Sequence, residues 1–105
     1  MVRHVVLCQL KPGTDEHALD DLMRQTHSRL LRIHECLTVQ CGKRIEPDNA
    51  WAFFFTVDYE TRAKLRLAQR KPAYAKFLAE VITPRVAAQM AMLYELDPDK
   101  NVKYS

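Results

Sequence analysis

Apolar residues recur along this chain at every second position, then every third or fourth, then every second again, and the changes of period mark its elements. Val2 to Leu10, "VRHVVLCQL", is rich in β-branched and aliphatic residues and stops at "KPG", which predicts a first strand. Thr14 is expected to cap the next element, with Asp15 and Glu16 in its first turn favouring the helix dipole. Leu19, Leu22, Met23, Thr26, Leu30 and Ile33 then fall at helical spacing, so one long amphipathic helix is predicted to end near His34 to Cys36.

"LTVQCGKRI" alternates Leu37, Val39 and Cys41 against Thr38 and Gln40 and reads as a half-buried second strand. After the turn residues "EPDN", the run "AWAFFFTVDY" predicts a third strand covered on both faces. Thr61 opens a short helix to about Gln69. Pro72 starts another, in which Tyr74, Phe77, Leu78 and Val81 share one buried face. From Pro84 onward, Val86, Ala88, Met90, Met92, Tyr94 and Leu96 alternate against Ala87, Gln89, Ala91, Leu93 and Glu95, predicting a long fourth strand.

The resulting order β-α-β-β-α-α-β is that of an α+β, ferredoxin-like fold, an antiparallel sheet with its helices on one face. The length fits a single domain over residues 1–97 followed by a polar tail over 98–105. The small and flexible residues Ala88, Met90 and Met92 suit a contact between sheets, so a homodimer through the open sheet face is expected.

Charge changes this picture little. The net +3 from 16 basic and 13 acidic residues is modest and interspersed, and the basic run Arg62, Lys64, Arg66, Arg70 and Lys71 spreads around a helix as a solvated surface. No nucleic-acid partner is expected. "NAWAFFFT" imitates an RNA-recognition strand but lacks its leading basic residue and glycine, and Val6 stands where strand one would need a stacking aromatic. The three cysteines lack CxxC spacing, and Cys36 and Cys41 flank a strand that holds them ~17 Å apart, which argues against a disulfide or zinc site. The apolar run at the N-terminus is too short for a signal peptide or membrane span, so a reducing cytoplasm is the expected location.

Few residues propose chemistry. His4 shares a strand face with Val6, Cys8 and Leu10, although alternation alone does not say which face looks toward the helices. If it is this one, Phe53, Tyr74 and Phe77 become neighbours and enclose an apolar cavity with one imidazole and one phenol. A histidine at a strand end also commonly satisfies a backbone carbonyl and does nothing more. His17 is expected in solvent, and His27 and His34, ~10 Å apart along a helix, are too far apart to chelate one metal. With only two glycines, no HExxH and no nucleophile elbow, no metal and no cofactor is implied.

"VRHVVLCQLKPG", "VQCGKRI" and "FTVDYETRAKLRLAQRKPAYAKFLAEVITPRV" together resemble the stress-responsive A/B barrel (Dabb) domain family over nearly the whole chain. The resemblance implies a dimeric α+β barrel, two ferredoxin-like subunits with their sheets wrapped together. It implies a cavity between sheet and helices lined by His4, Val6, Leu22, Met23, Thr26, Phe53, Phe55, Tyr74 and Phe77. A plant branch of the family closes linear polyketides by aldol condensation without a cofactor, using a histidine in an "HPxH" helix start and a tyrosine just upstream. Here the matching stretch is "KPAY", with Lys71 for the first histidine, Tyr74 for the catalytic one and Ala68 for the upstream tyrosine. His4 matches a pocket histidine of the first strand, and Phe53 replaces a second.

Two functions follow as expectations. One is a homodimeric protein that binds a small apolar or phenolic ligand. The other is a cofactor-independent enzyme resembling a polyketide cyclase or small oxygenase, with His4 as base and Tyr74 as the second candidate catalytic residue. Tyrosine's ordinary pKa near ~10 makes Tyr74 a poor base at neutral pH. A dimer whose stability is its only task is the bland alternative.

Overall fold

The computed structural model describes residues 1–97 of the chain, and the expected tail over 98–105 lies outside the described residues. The elements are β1 (Val2–Leu10), α1 (Glu16–Leu31), β2 (Thr38–Lys43), β3 (Phe53–Tyr59), α2 (Arg62–Arg70), α3 (Pro72–Phe77) and β4 (Val86–Glu95), with a π-turn over Leu78–Ile82 closing α3. The sheet is antiparallel in the order β2-β3-β1-β4. This is the ferredoxin-like arrangement, and it leaves β2 and β4 as edges.

Cross-strand register divides the side chains into two faces. Toward the helices, Val39, Val57, His4 and Leu93 form one row across the four strands, and Cys41, Phe55, Val6 and Ala91 the next. On the open face the successive rows are Thr38–Asp58–Arg3–Tyr94, Gln40–Thr56–Val5–Met92 and Gly42–Phe54–Leu7–Met90. Val6, Phe53, Phe55 and Val57 meet Leu22, Leu30 and Phe77 in one apolar cluster, each at most 3% exposed. Burying each such side chain contributes about 1.5–3 kcal/mol.

Several local expectations are corrected. Asp15, not Thr14, caps α1: its Oδ1 accepts from the Ala18 N–H at 2.8 Å, while the Thr14 hydroxyl donates to the Lys11 carbonyl. The helix ends at Leu31, and Ile33 and Cys36 are buried by the tight turns that follow. β3 begins at Phe53, leaving Trp51 outside the strand, and Phe54 is exposed, so the outer face of β3 is not covered within one chain.

Val86 does not share a face with Met90. The register shifts between Gln9 and Leu10, pairing Gln9 with Ala88 but Leu10 with Val86, and this bulge turns Val86 inward onto the core. The π-turn is a further departure. The Thr83 N–H donates to the Leu78 carbonyl at 2.8 Å, and the widened turn buries the consecutive residues Val81 and Ile82 where a regular helix buries one.

Two glycines carry structural demands. Gly13 ends the "KPG" turn at φ +87°, which L side chains rarely adopt. Gly42 lies on the open face directly across from Phe54, whose ring occupies the space a Cβ would need.

Candidate functional site

Alternation along β1 carries His4 to the face that looks toward the helices, in a row between Val57 on β3 and Leu93 on β4. Above it lies α2. Thr61 starts this helix by accepting from the Lys64 N–H at 3.1 Å, and Leu65 and Gln69, four residues apart, point down the same side. Because α2 stops short of covering β4, a cavity of about 230 Å³ remains between them, lined by His4, Leu65, Gln69, Ala91, Met92 and Leu93.

The imidazole is half-buried, and its Nδ1 is buried without a hydrogen-bond partner. Burial pushes the His4 pKa below its usual value near 6.5, so the ring is neutral at neutral pH and can accept as well as donate. A buried polar atom without a partner costs about 1–3 kcal/mol.

Tyr74 also lies on the helix side, but it does not line this cavity. Its ring stacks edge-on against Phe77 at 6.1 Å, and Phe77 meets Phe55 in the same manner at 5.9 Å. Burial raises the Tyr74 phenol pKa, with the Gln69 side chain offsetting part of the effect. Gln69, exposed on α2, lines the His4 cavity. A phenol shifted upward is a hydrogen-bond donor at neutral pH, not a base.

The remaining expected pocket residues separate into two groups. Val6, Leu22, Thr26, Phe53, Phe55 and Phe77 are closed into the core, and Thr26 brings a fully buried hydroxyl with no partner. Met23 instead lines a groove of about 740 Å³ between α1 and the edge strand β2, with His27, Cys41 and Phe54. His17, His27 and His34 are exposed.

Sequence reasoning did not single out Leu65, Gln69, Ala91 or Leu93. The i, i+4 spacing of Leu65 and Gln69 was a usable signal, whereas the gap between α2 and β4 depends on how far the helical layer reaches. A second polar cluster was also missed. Cys36 donates to the buried Tyr59 hydroxyl at 3.6 Å, and the Lys71–Glu35 ion pair at 2.7 Å lies at the junction of α2 and α3. The Lys71 ammonium holds the Glu35 carboxyl below its usual range, and burial pushes the Tyr59 phenol up strongly. Cys8 and Cys41 are pushed up to about 11 by burial, which keeps both thiols protonated and unreactive.

Comparison with known proteins agrees with this architecture. The family model described as Stress responsive A/B Barrel Domain matches residues 2–95. No curated protein matches the sequence. Among solved structures, a dabb family protein with a ferredoxin-like fold from Mesorhizobium loti is similar at 18% identity and TM-score 0.79, over 90% of this chain and 95% of that one. A dimeric ferredoxin-like protein of unknown function from Thermobifida fusca is similar at 19% identity and TM-score 0.78, over 90% of each chain. The hydroxynitrile lyase of Passiflora edulis is similar at 14% identity and TM-score 0.79, over 94% of this chain and 95% of that one. Among the described residues, no helix is long and apolar enough to cross a membrane.

Proposed function

The chain belongs to the stress-responsive A/B barrel domain family, and from that premise we propose a homodimeric protein that binds a small apolar or phenolic ligand against His4, between the sheet and α2. The observation that carries this reading is that His4 lines a cavity whose other walls are mostly apolar. Size narrows the ligand. A cavity of roughly 150 Å³ takes up benzene, so about 230 Å³ suits one ring with a short substituent. A hydroxyl on that ring can satisfy the imidazole.

Association through the open face is supported by Phe54, Met90 and Tyr94, large side chains left 37–52% exposed on it. The similar Thermobifida fusca protein is dimeric.

A second reading is a cofactor-independent enzyme with His4 as base: the imidazole lines the cavity and is deprotonated at neutral pH, although the same burial weakens it as a proton acceptor. The similar hydroxynitrile lyase lends this a precedent in fold only.

Thermal unfolding in the presence of a panel of single-ring phenols and alcohols tests the binding reading. At least one compound in large excess is expected to raise the midpoint by roughly 5 °C or more, and His4→Ala is expected to abolish the rise. A panel without effect on the wild type, or an undiminished rise in His4→Ala, contradicts it.

A further inference from the structure

Unpaired positive charge gathers on the outer side of α2 and α3. Six of the chain's 16 basic residues and none of its 13 acidic ones fall between Thr61 and Ala79, so the rest of the chain, with 10 basic residues against 13 acidic, is net negative. Only Leu65 and Ala68 of α2 are buried. Arg62, Lys64, Arg66 and Arg70 are therefore exposed together, with Lys76 following on α3. Arg3, Arg24, Arg29, Lys43 and Arg85 each pair with a carboxylate, as Lys71 does with Glu35. Among the described residues, Arg62, Lys64, Arg66, Arg70 and Lys76 have no such partner.

This layout works against the helix itself. Arg62 and Lys64 stand in its first turn, at the positive end of the dipole, and no acidic residue there offsets them. Arg62, Arg66 and Arg70 repeat at i, i+4 and i+8, a ridge of like charges that repel one another. An anionic surface outside the chain reverses both effects. The apolar groups among these cations narrow its kind. Leu67 is 46% exposed between Arg66 and Arg70, and Ala63 lies one turn before it on the same stripe. A single nucleic-acid strand calls for exposed aromatic rings, and the two here, Tyr74 and Phe77, are buried; a duplex sets only phosphates against Leu67. An acidic peptide needs a groove, and the one at the start of α2 is edged by Glu60 and Glu95.

We propose that the outer face of α2 and α3 docks on an anionic lipid surface, with Arg62, Lys64, Arg66, Arg70 and Lys76 in the headgroup layer and Leu67 reaching below it. The helices lie on the other side of the sheet from its open face, so this docking does not depend on how two copies associate. Each basic residue held at such a surface strengthens binding roughly fivefold. Five of them give a reversible attachment that salt weakens.

Co-flotation with lipid vesicles tests the proposal. The wild-type protein is expected to float with phosphatidylcholine vesicles that contain phosphatidylserine, not with phosphatidylcholine alone, and to be released at about 1 M salt, where charges are screened beyond ~3 Å. Arg66→Gln with Arg70→Gln is expected to weaken binding about 25-fold, two factors of five. Leu67→Ala removes no charge and is expected to weaken it several-fold. All three side chains point into solvent, and circular dichroism is expected to show both variants folded as the wild type is. No binding to the anionic vesicles, equal binding to both kinds, or undiminished binding by the double variant overturns the proposal. So does undiminished binding by Leu67→Ala, and so does a short RNA duplex or polyglutamate that strips the protein from the vesicles at equal concentration of charge.

Discussion

His4 is legible from its own strand only up to a choice of two faces. Period-two alternation groups it with Val6, Cys8 and Leu10, and the register with β3 puts His4, Val6 and Cys8 opposite buried residues of the helix-facing side. Which face meets the helices is decided by distant residues, chiefly Leu22, Leu30 and Phe77, that complete the core. Val86 shows the opposite failure. Its alternation with Met90 is clear in the sequence, but a bulge opposite Leu10 changes the count, and nothing in the local pattern announces a bulge. A pH dependence follows from His4. Its folded pKa lies below its unfolded value near 6.5, so its contribution to stability is full above that value and is lost as pH falls through the depressed folded pKa. Denaturant unfolding between about pH 7.5 and pH 5 is expected to show stability falling toward acid, with the slope reduced in His4→Gln. The Asp58 carboxyl, held low by the Arg3 guanidinium, titrates below this window and does not imitate the effect. An unchanged slope in His4→Gln excludes the assignment to His4.

At the scale of elements, the strands and helices follow from periodicity and punctuation: "KPG" after β1, Thr61 before α2, Pro72 at the start of α3. Closure of α3 by a π-turn was not legible, because the spacing of Tyr74, Phe77, Leu78 and Val81 fits a regular helix, and the extra residue matters only when Ile82 is also drawn into the core. The same limit hid Gln69. Its role depends on α2 lying over His4 but short of β4, a relation between elements and not a property of either. β2 and β3 offer a direct test of the open face. In Gly42→Ala the new methyl collides with the Phe54 ring, which must swing away from β2. Because that ring is partly exposed, the cost to the folded chain is expected to be about 1 kcal/mol. If the proposed dimer seats this ring in its interface, association is expected to weaken more than stability does, as measured by sedimentation equilibrium alongside denaturant unfolding. Unaltered association in Gly42→Ala rules the Phe54 surface out of the interface.

At the scale of the molecule, the sheet has two faces of different character. The helical side carries the groove between α1 and β2 and, where α2 leaves β4 uncovered, the smaller cavity that His4 lines. The open side bears a graded surface, charged at one end and apolar at the other. The antiparallel sheet, the helix order and the likeness to the family were all legible because they rest on features spread along the chain. The cavity was legible only in outline. Its core-lining residues were named from the family resemblance, while the gap beside His4 arises where the helical layer ends. The most direct test of a ligand site at His4 is nitrogen-15 NMR of the histidine side chains in the intact protein during titration with a ring-hydroxylated compound that raises the unfolding midpoint. Saturable shifts of the His4 ring nitrogens are expected, with those of His17, His27 and His34 unmoved. A compound that binds while the His4 ring signals stay in place would contradict the account.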